Sequence, residues 1–134
     1  MLKPSFKNII LFIFLKYLFF WIFMMFKNDI YTLIEINEIH NGQDLFYYLW
    51  LFGTSPTAYA LLFSVPIYYS FRIKKSIFFL LIIPVIFIVE YKLYTYLDSP
   101  GDLWNGFFNA LISLALFISF YFKAIREVIM KPLF

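Results

Sequence analysis

The sequence predicts an all-α membrane protein with four transmembrane helices, both termini in the cytoplasm and short loops between the spans. Three observations predict it: the overall hydrophobicity, four apolar segments of membrane length, and basic residues confined to alternate connectors. Of 134 residues, 63% are hydrophobic and only 14% are charged. Soluble domains run about 45–50% apolar and about 25% charged. A water-soluble globule of this length buries only part of the surface its unfolded chain exposes and could not hide so much apolar area. The length suits a single polytopic membrane domain over residues 1–134.

A spanning helix needs about 20 predominantly apolar residues to cross a hydrocarbon core about 30 Å thick. The first such segment covers residues 9–26. It follows Lys3 and Lys7, which would suit a signal peptide, but it is long for the apolar region of one and contains Lys16. Lys27, Asn28 and Asp29 follow it rather than a small-residue cleavage site, so it is expected to be a retained helix. The second segment, 45–71, is long and interrupted by Gly53-Thr54-Ser55-Pro56 and by Pro66. It is expected to tilt or kink at its prolines, or to begin as an interfacial turn around Tyr47, Tyr48 and Trp50. The third, 77–97, contains Pro84, and the fourth covers 103–122.

The connectors set the orientation. Lys3 and Lys7 precede the first span, Arg72, Lys74 and Lys75 separate the second and third, and Lys123, Arg126 and Lys131 follow the fourth. The other connectors are acidic, with Asp29, Glu35, Glu38 and Asp44 against Lys27 in one, and Asp98 and Asp102 in the other. Basic loops stay on the cytoplasmic side, and threading four spans brings all three basic clusters to that side. Trp50, Tyr94, Tyr96 and Trp104 then fall near the outer interface, where aromatic belts form.

Several function classes are excluded or disfavoured. The chain has no cysteine, so disulfides, thiolate catalysis and cysteine-based metal sites are ruled out. The net charge of +3 resides in the clustered loop residues, which argues against nucleic-acid binding. No internal repeat of the inverted-transporter kind is visible. Glu35, Glu38 and His40 match no zinc signature and lack an evident fourth ligand. The alternation of Ile30, Leu33, Ile34, Ile36 and Ile39 with polar residues fits a short amphipathic segment lying on the outer surface. Heavy use of Phe, Tyr, Ile and Lys with little Gly suggests an AT-rich bacterial genome, and hence the bacterial inner membrane.

Ionisable residues within a span are expensive and mark candidate functional sites. Lys92 is close enough to the outer end of its helix to snorkel. Lys16 lies about 10 Å inside the first helix. It either snorkels to the cytoplasmic headgroups or meets a buried partner, which would be a carbonyl freed by a proline or an acidic group. Glu90 lies about 10 Å from the outer end of the third helix and Asn109 about 9 Å from the outer end of the fourth. Asn105, Asn109 and Ser113 recur at i, i+4 and i+8 and form one stripe. Thr54, Ser55 and Thr57 descend from the same side on the second helix, and Pro56 leaves a carbonyl near Phe52 without its donor. These residues form either a polar pocket open to the outside, centred on Glu90, or interhelical glue in which Glu90 bonds Asn109 and Thr54. Gly106 and Ala110 form a small-xxx-small pair that favours close packing beside the stripe.

With no catalytic constellation, no cofactor motif and short loops, the expected role is non-enzymatic. The leading expectation is an accessory or assembly subunit of a larger membrane complex, with the bilayer and another membrane protein, or itself, as partners. A small homo-oligomeric proton-coupled carrier or channel using Glu90 is the alternative. An immunity protein or membrane-disrupting effector of a bacterial conflict system is the third.

Overall fold

A computed structural model gives the structure, which describes residues 2–32 and 34–134. All regular structure among them is helical. Helix α1 spans Phe6–Lys27, α2 Gly42–Leu49, α3 Ser55–Ser70, α4 Ser76–Leu97 and α5 Leu103–Ile129. A 3-10 turn, Ile36–Glu38, lies in the first connector, and a π-helical turn, Trp50–Thr54, joins α2 to α3. Leu33, part of the expected amphipathic connector, is outside the described residues.

Local chemistry sets most of the boundaries. The Ser5 hydroxyl accepts from Asn8 N at 3.3 Å and starts α1, while Lys27 at its last turn complements the negative end of the helix dipole. Asp102 caps α5 by accepting from Trp104 N at 3.0 Å and Asn105 N at 3.2 Å. Asn41 caps α2 in the same way, which carries the helix start back to Gly42 from the expected residue 45.

The second segment, expected over 45–71 to kink at its prolines or to begin as an interfacial turn, is three pieces: α2, the π turn and α3. Proline has no N–H, so Pro56 cannot bond the Phe52 carbonyl one turn earlier. The backbone widens just before it: Ser55 N donates to Trp50 O, five residues back, which closes the π turn. The Thr57 hydroxyl donates to Gly53 O at 2.7 Å and satisfies a second carbonyl near the proline. Alone, α3 has 16 residues, about 24 Å of helix. The helices long and apolar enough to cross a membrane are therefore α1, α4 and α5.

The last helix runs past the expected end at residue 122 to Ile129, with a bend at Tyr121 (φ −112°, ψ 15°). The Tyr121 hydroxyl donates to Asn8 O at 3.0 Å, which ties the bend to the start of α1. Beyond it, Val128 is buried and Ala124 and Ile125 pack on the core, while Lys123, Arg126 and Glu127 are exposed. The charges that follow the expected fourth span thus form the outer face of an amphipathic helical arm.

The long elements form a ring. Helices α3 and α5 each pack against both α1 and α4, so α1 and α4 face one another across the diagonal. The ring is inverted relative to a soluble bundle. Leu61, Leu81, Val85 and Ile88 are more than half exposed, whereas Lys16, Ser64, Glu90, Asn109 and Ser113 are buried. Large apolar side chains facing out, around a mainly apolar core that also holds these polar groups, suit a hydrocarbon solvent.

At Gly106, α5 lies close against α4. A Cβ there would collide with the Thr95 hydroxyl and lie 3.0 Å from the Tyr91 ring. Gly106→Ala is therefore expected to cost about 1–3 kcal/mol. A thermal melt in detergent would show the loss, and Thr95→Ala in the same chain should recover part of it. An unchanged melting point would contradict this packing.

Candidate functional site

The centre of the bundle is a charged pair that crosses the diagonal. Lys16 projects from the middle of α1 and Glu90 from α4, and the Lys16 Nζ donates to Glu90 Oε1. Their side chains are 1% and 3% exposed. The Tyr17 hydroxyl donates to the same oxygen at 2.9 Å. The ammonium also lies 5.0 Å from the Tyr17 ring centroid and 5.9 Å from that of Phe12, within cation–π range. A lysine is long enough to reach across the bundle from one diagonal helix to the other, and this one spends its length inward rather than snorkelling.

Tyr17 links this centre to a second polar group at the acidic end. Its ring stacks on Tyr59, with centroids 5.5 Å apart and planes 16° from parallel. The Tyr59 hydroxyl donates to Asp98 Oδ2 at 2.7 Å. Asp98 also accepts from Ser55 Oγ at 2.7 Å and from Trp50 Nε1 at 2.9 Å. One carboxylate at the end of α4 therefore holds both sides of the π turn and the first turns of α3. Hydrogen bonds to an ionised acceptor are the stronger kind.

The predicted residues divide. Lys16 and Glu90 come together directly, the acidic-partner alternative for Lys16. Asn109 is buried on α5 beside the Tyr17 hydroxyl, and no hydrogen bond joins it to Glu90. Glu90 Oε2, Asn109 Oδ1 and Ser113 Oγ are buried without a hydrogen-bond partner. Asn105 is half-buried and donates to the Ser99 hydroxyl at 3.2 Å, near the acidic end. Of Thr54, Ser55 and Thr57, only Ser55 turns inward, to Asp98 rather than Glu90. Thr54 and Thr57 are exposed, so the expected bond from Glu90 to Thr54 is absent. The reason is rotational: successive helical residues lie about 100° apart, so Ser55 and Thr57 face opposite sides, while Thr54 and Thr57, three residues apart, fall together on the outer one. Lys92 is exposed.

Tyr17, Tyr59, Trp50 and Asp98 were not singled out by sequence reasoning. Trp50 reads as an interfacial aromatic and Asp98 as one of two loop acids. The available signal was Asp98 at the C-terminal end of a helix, where a negative charge opposes the helix dipole and needs other donors.

In the first connector, a hydrogen bond donated to the Glu38 carboxylate, together with the negative charge of Glu38, pushes the Glu35 carboxyl above the usual glutamate range. His40 offers its backbone N–H to Asp44 at 3.0 Å. Among the described residues no group of three potential ligands is placed to hold a metal ion. No protein-family model matches the chain, and neither a curated protein nor a solved structure does.

Removing one partner of a buried ion pair leaves the other charge uncompensated and costs about 3–5 kcal/mol, whereas replacing both by apolar groups is often neutral or stabilising. Lys16→Met and Glu90→Gln are each expected to lower stability by that amount. The double variant Lys16→Met/Glu90→Leu should recover most of it. Melts of the four proteins in one detergent check this, and a Glu90→Gln protein as stable as the parent would contradict a charged pair.

Proposed function

We propose that this chain is a four-span protein of a bacterial cytoplasmic membrane, with both termini inside. In this reading the π turn and α3 together make the second span, alongside α1, α4 and α5. The protein acts as a non-enzymatic accessory or assembly subunit of a larger membrane complex. The supporting observation is the closure of Lys16 on Glu90 at the centre of the bundle. The two intramembrane charges neutralise each other, so they serve the bundle's own geometry rather than presenting an acid to a ligand. What the molecule offers outward is apolar helix surface and the acidic-end connector, where Tyr31 and Ile36 are exposed beside Glu35 and Glu38. Apolar side chains gathered on an exposed connector mark an interaction surface.

A carrier or channel built on Glu90 is the second reading, favoured by the unpartnered Oε2 and the neighbouring unpartnered oxygens of Asn109 and Ser113. It expects proton flux in reconstituted vesicles that Glu90→Gln abolishes.

Two measurements test the leading proposal. Reporter fusions at Lys75 and after Phe134 should read cytoplasmic, and those at Asn41 and Pro100 external. An external reading at Lys75 ends the four-span topology. Purification in mild detergent should recover a stoichiometric membrane-protein companion. Ile34→Asp/Ile36→Asp should release that companion without lowering the melting point. A monodisperse monomer that never carries a companion would overturn the subunit role.

A further inference from the structure

We infer that the basic end of the bundle binds the headgroups of anionic phospholipids, and that the amphipathic arm after Tyr121 is the element that seats them. This rests on the four-span reading, which places the basic end at a membrane surface.

Three chain segments far apart in sequence are bonded together there. Leu2 N donates to Phe120 O at 2.9 Å, and the Tyr121 hydroxyl bonds Asn8, so the N-terminal segment is tied to α5. Ser76 N donates to Pro132 O at 3.0 Å, and Lys131 Nζ donates to Ile73 O at 2.7 Å, so the segment after α5 is tied to the α3–α4 loop. The Phe6 ring meets Tyr68 edge-on at 6.0 Å, and the Arg72 guanidinium lies 4.4 Å over the same Tyr68 ring. The N-terminus, the loop and the arm therefore form one surface rather than three loose strands.

That surface is strongly positive. Lys3, Lys7, Arg72, Lys74, Lys75, Lys123 and Arg126 are all exposed on it, against the single acid Glu127. Lys131 is the exception, since its ammonium is spent on loop carbonyls.

The arm is amphipathic. Its inner face, Ala124, Ile125 and Val128, packs on the bundle. Its free face divides into two strips on the helical wheel. Phe122 and Ile129 share one strip and are about half exposed, while Lys123 and Arg126 lie on the neighbouring one. An apolar strip beside a basic strip, on a helix bent at the bundle's end, matches acyl chains on one side and phosphates on the other. Orientation during insertion needs only the positive charges. It does not need them gathered on a bonded, amphipathic platform.

The test uses the purified full-length chain in neutral detergent micelles, titrated with phosphatidylglycerol or with phosphatidylcholine of the same acyl chains. Phosphatidylglycerol should raise the melting point by more than phosphatidylcholine, and raising the salt concentration should shrink the difference, because exposed charges are screened. Lys123→Gln/Arg126→Gln should weaken the apparent phosphatidylglycerol affinity by about fivefold for each cation removed. Superimposable curves for the two lipids with the parent protein would overturn the inference, as would a double variant with undiminished lipid preference. Inorganic phosphate reproducing the full shift would also overturn it, because the site would then not be one for lipid. The titration reads headgroup preference without reference to sidedness, so it can fail while the topology fusions succeed, and the reverse.

Discussion

A charge placed in an apolar interior is stable only when an opposite charge and further hydrogen bonds meet it there. In this protein that constraint falls on Lys16 and Glu90, both buried near the bundle axis. They belong to diagonal helices, and their pairing, together with the packing of Tyr17 and Phe20 against Tyr94, sets the distance and rotation of α1 against α4 across the bundle. Helices α3 and α5 then fill the two flanks. The rings of Phe12 and Tyr17 close over the ammonium, and the Tyr17 hydroxyl takes up part of the carboxylate's remaining capacity.

The constraint passes outward along aromatic contacts. Tyr17 carries it to Tyr59 by stacking, and Tyr59 to Asp98 by a hydrogen bond. Asp98 in turn holds Trp50 and Ser55, on either side of the π turn that Pro56 makes necessary. The interruption of the second segment is thus answered by an acceptor on another helix. At the opposite end the tertiary ties are backbone bonds, from Leu2 to Phe120 and from Ser76 to Pro132.

Much of the secondary structure was legible, because long apolar runs and capping residues act locally. The expected starts of α1, α4 and α5 lie within three residues of those observed. The errors have specific causes. The reach of α5 beyond residue 122 was hidden by Lys123, Arg126 and Glu127, whose charges end the apolar run although Ala124, Ile125 and Val128 share a buried face. The break in the second segment was anticipated at Pro56, but its form was not, since a π turn depends on which carbonyl the next free N–H reaches. For the site, Glu90 and Lys16 were both identifiable as costly residues. Their estimated depths were measured from opposite ends of their helices, and that concealed their common level.

What the sequence determined by itself is the solvent the chain is built for and the helices it forms. Hydropathy, caps and the segregation of basic from acidic connectors depend on residues near one another in the chain. Which buried polar groups meet was decided only by tertiary structure. Partner choice across a bundle depends on helix rotation and on the ring order that makes α1 and α4 diagonal neighbours. Those quantities change by about 100° with each residue along a helix, and a single π turn shifts them again. Thr54 therefore faces outward while Ser55 faces Asp98, and Lys16 finds Glu90 74 residues away.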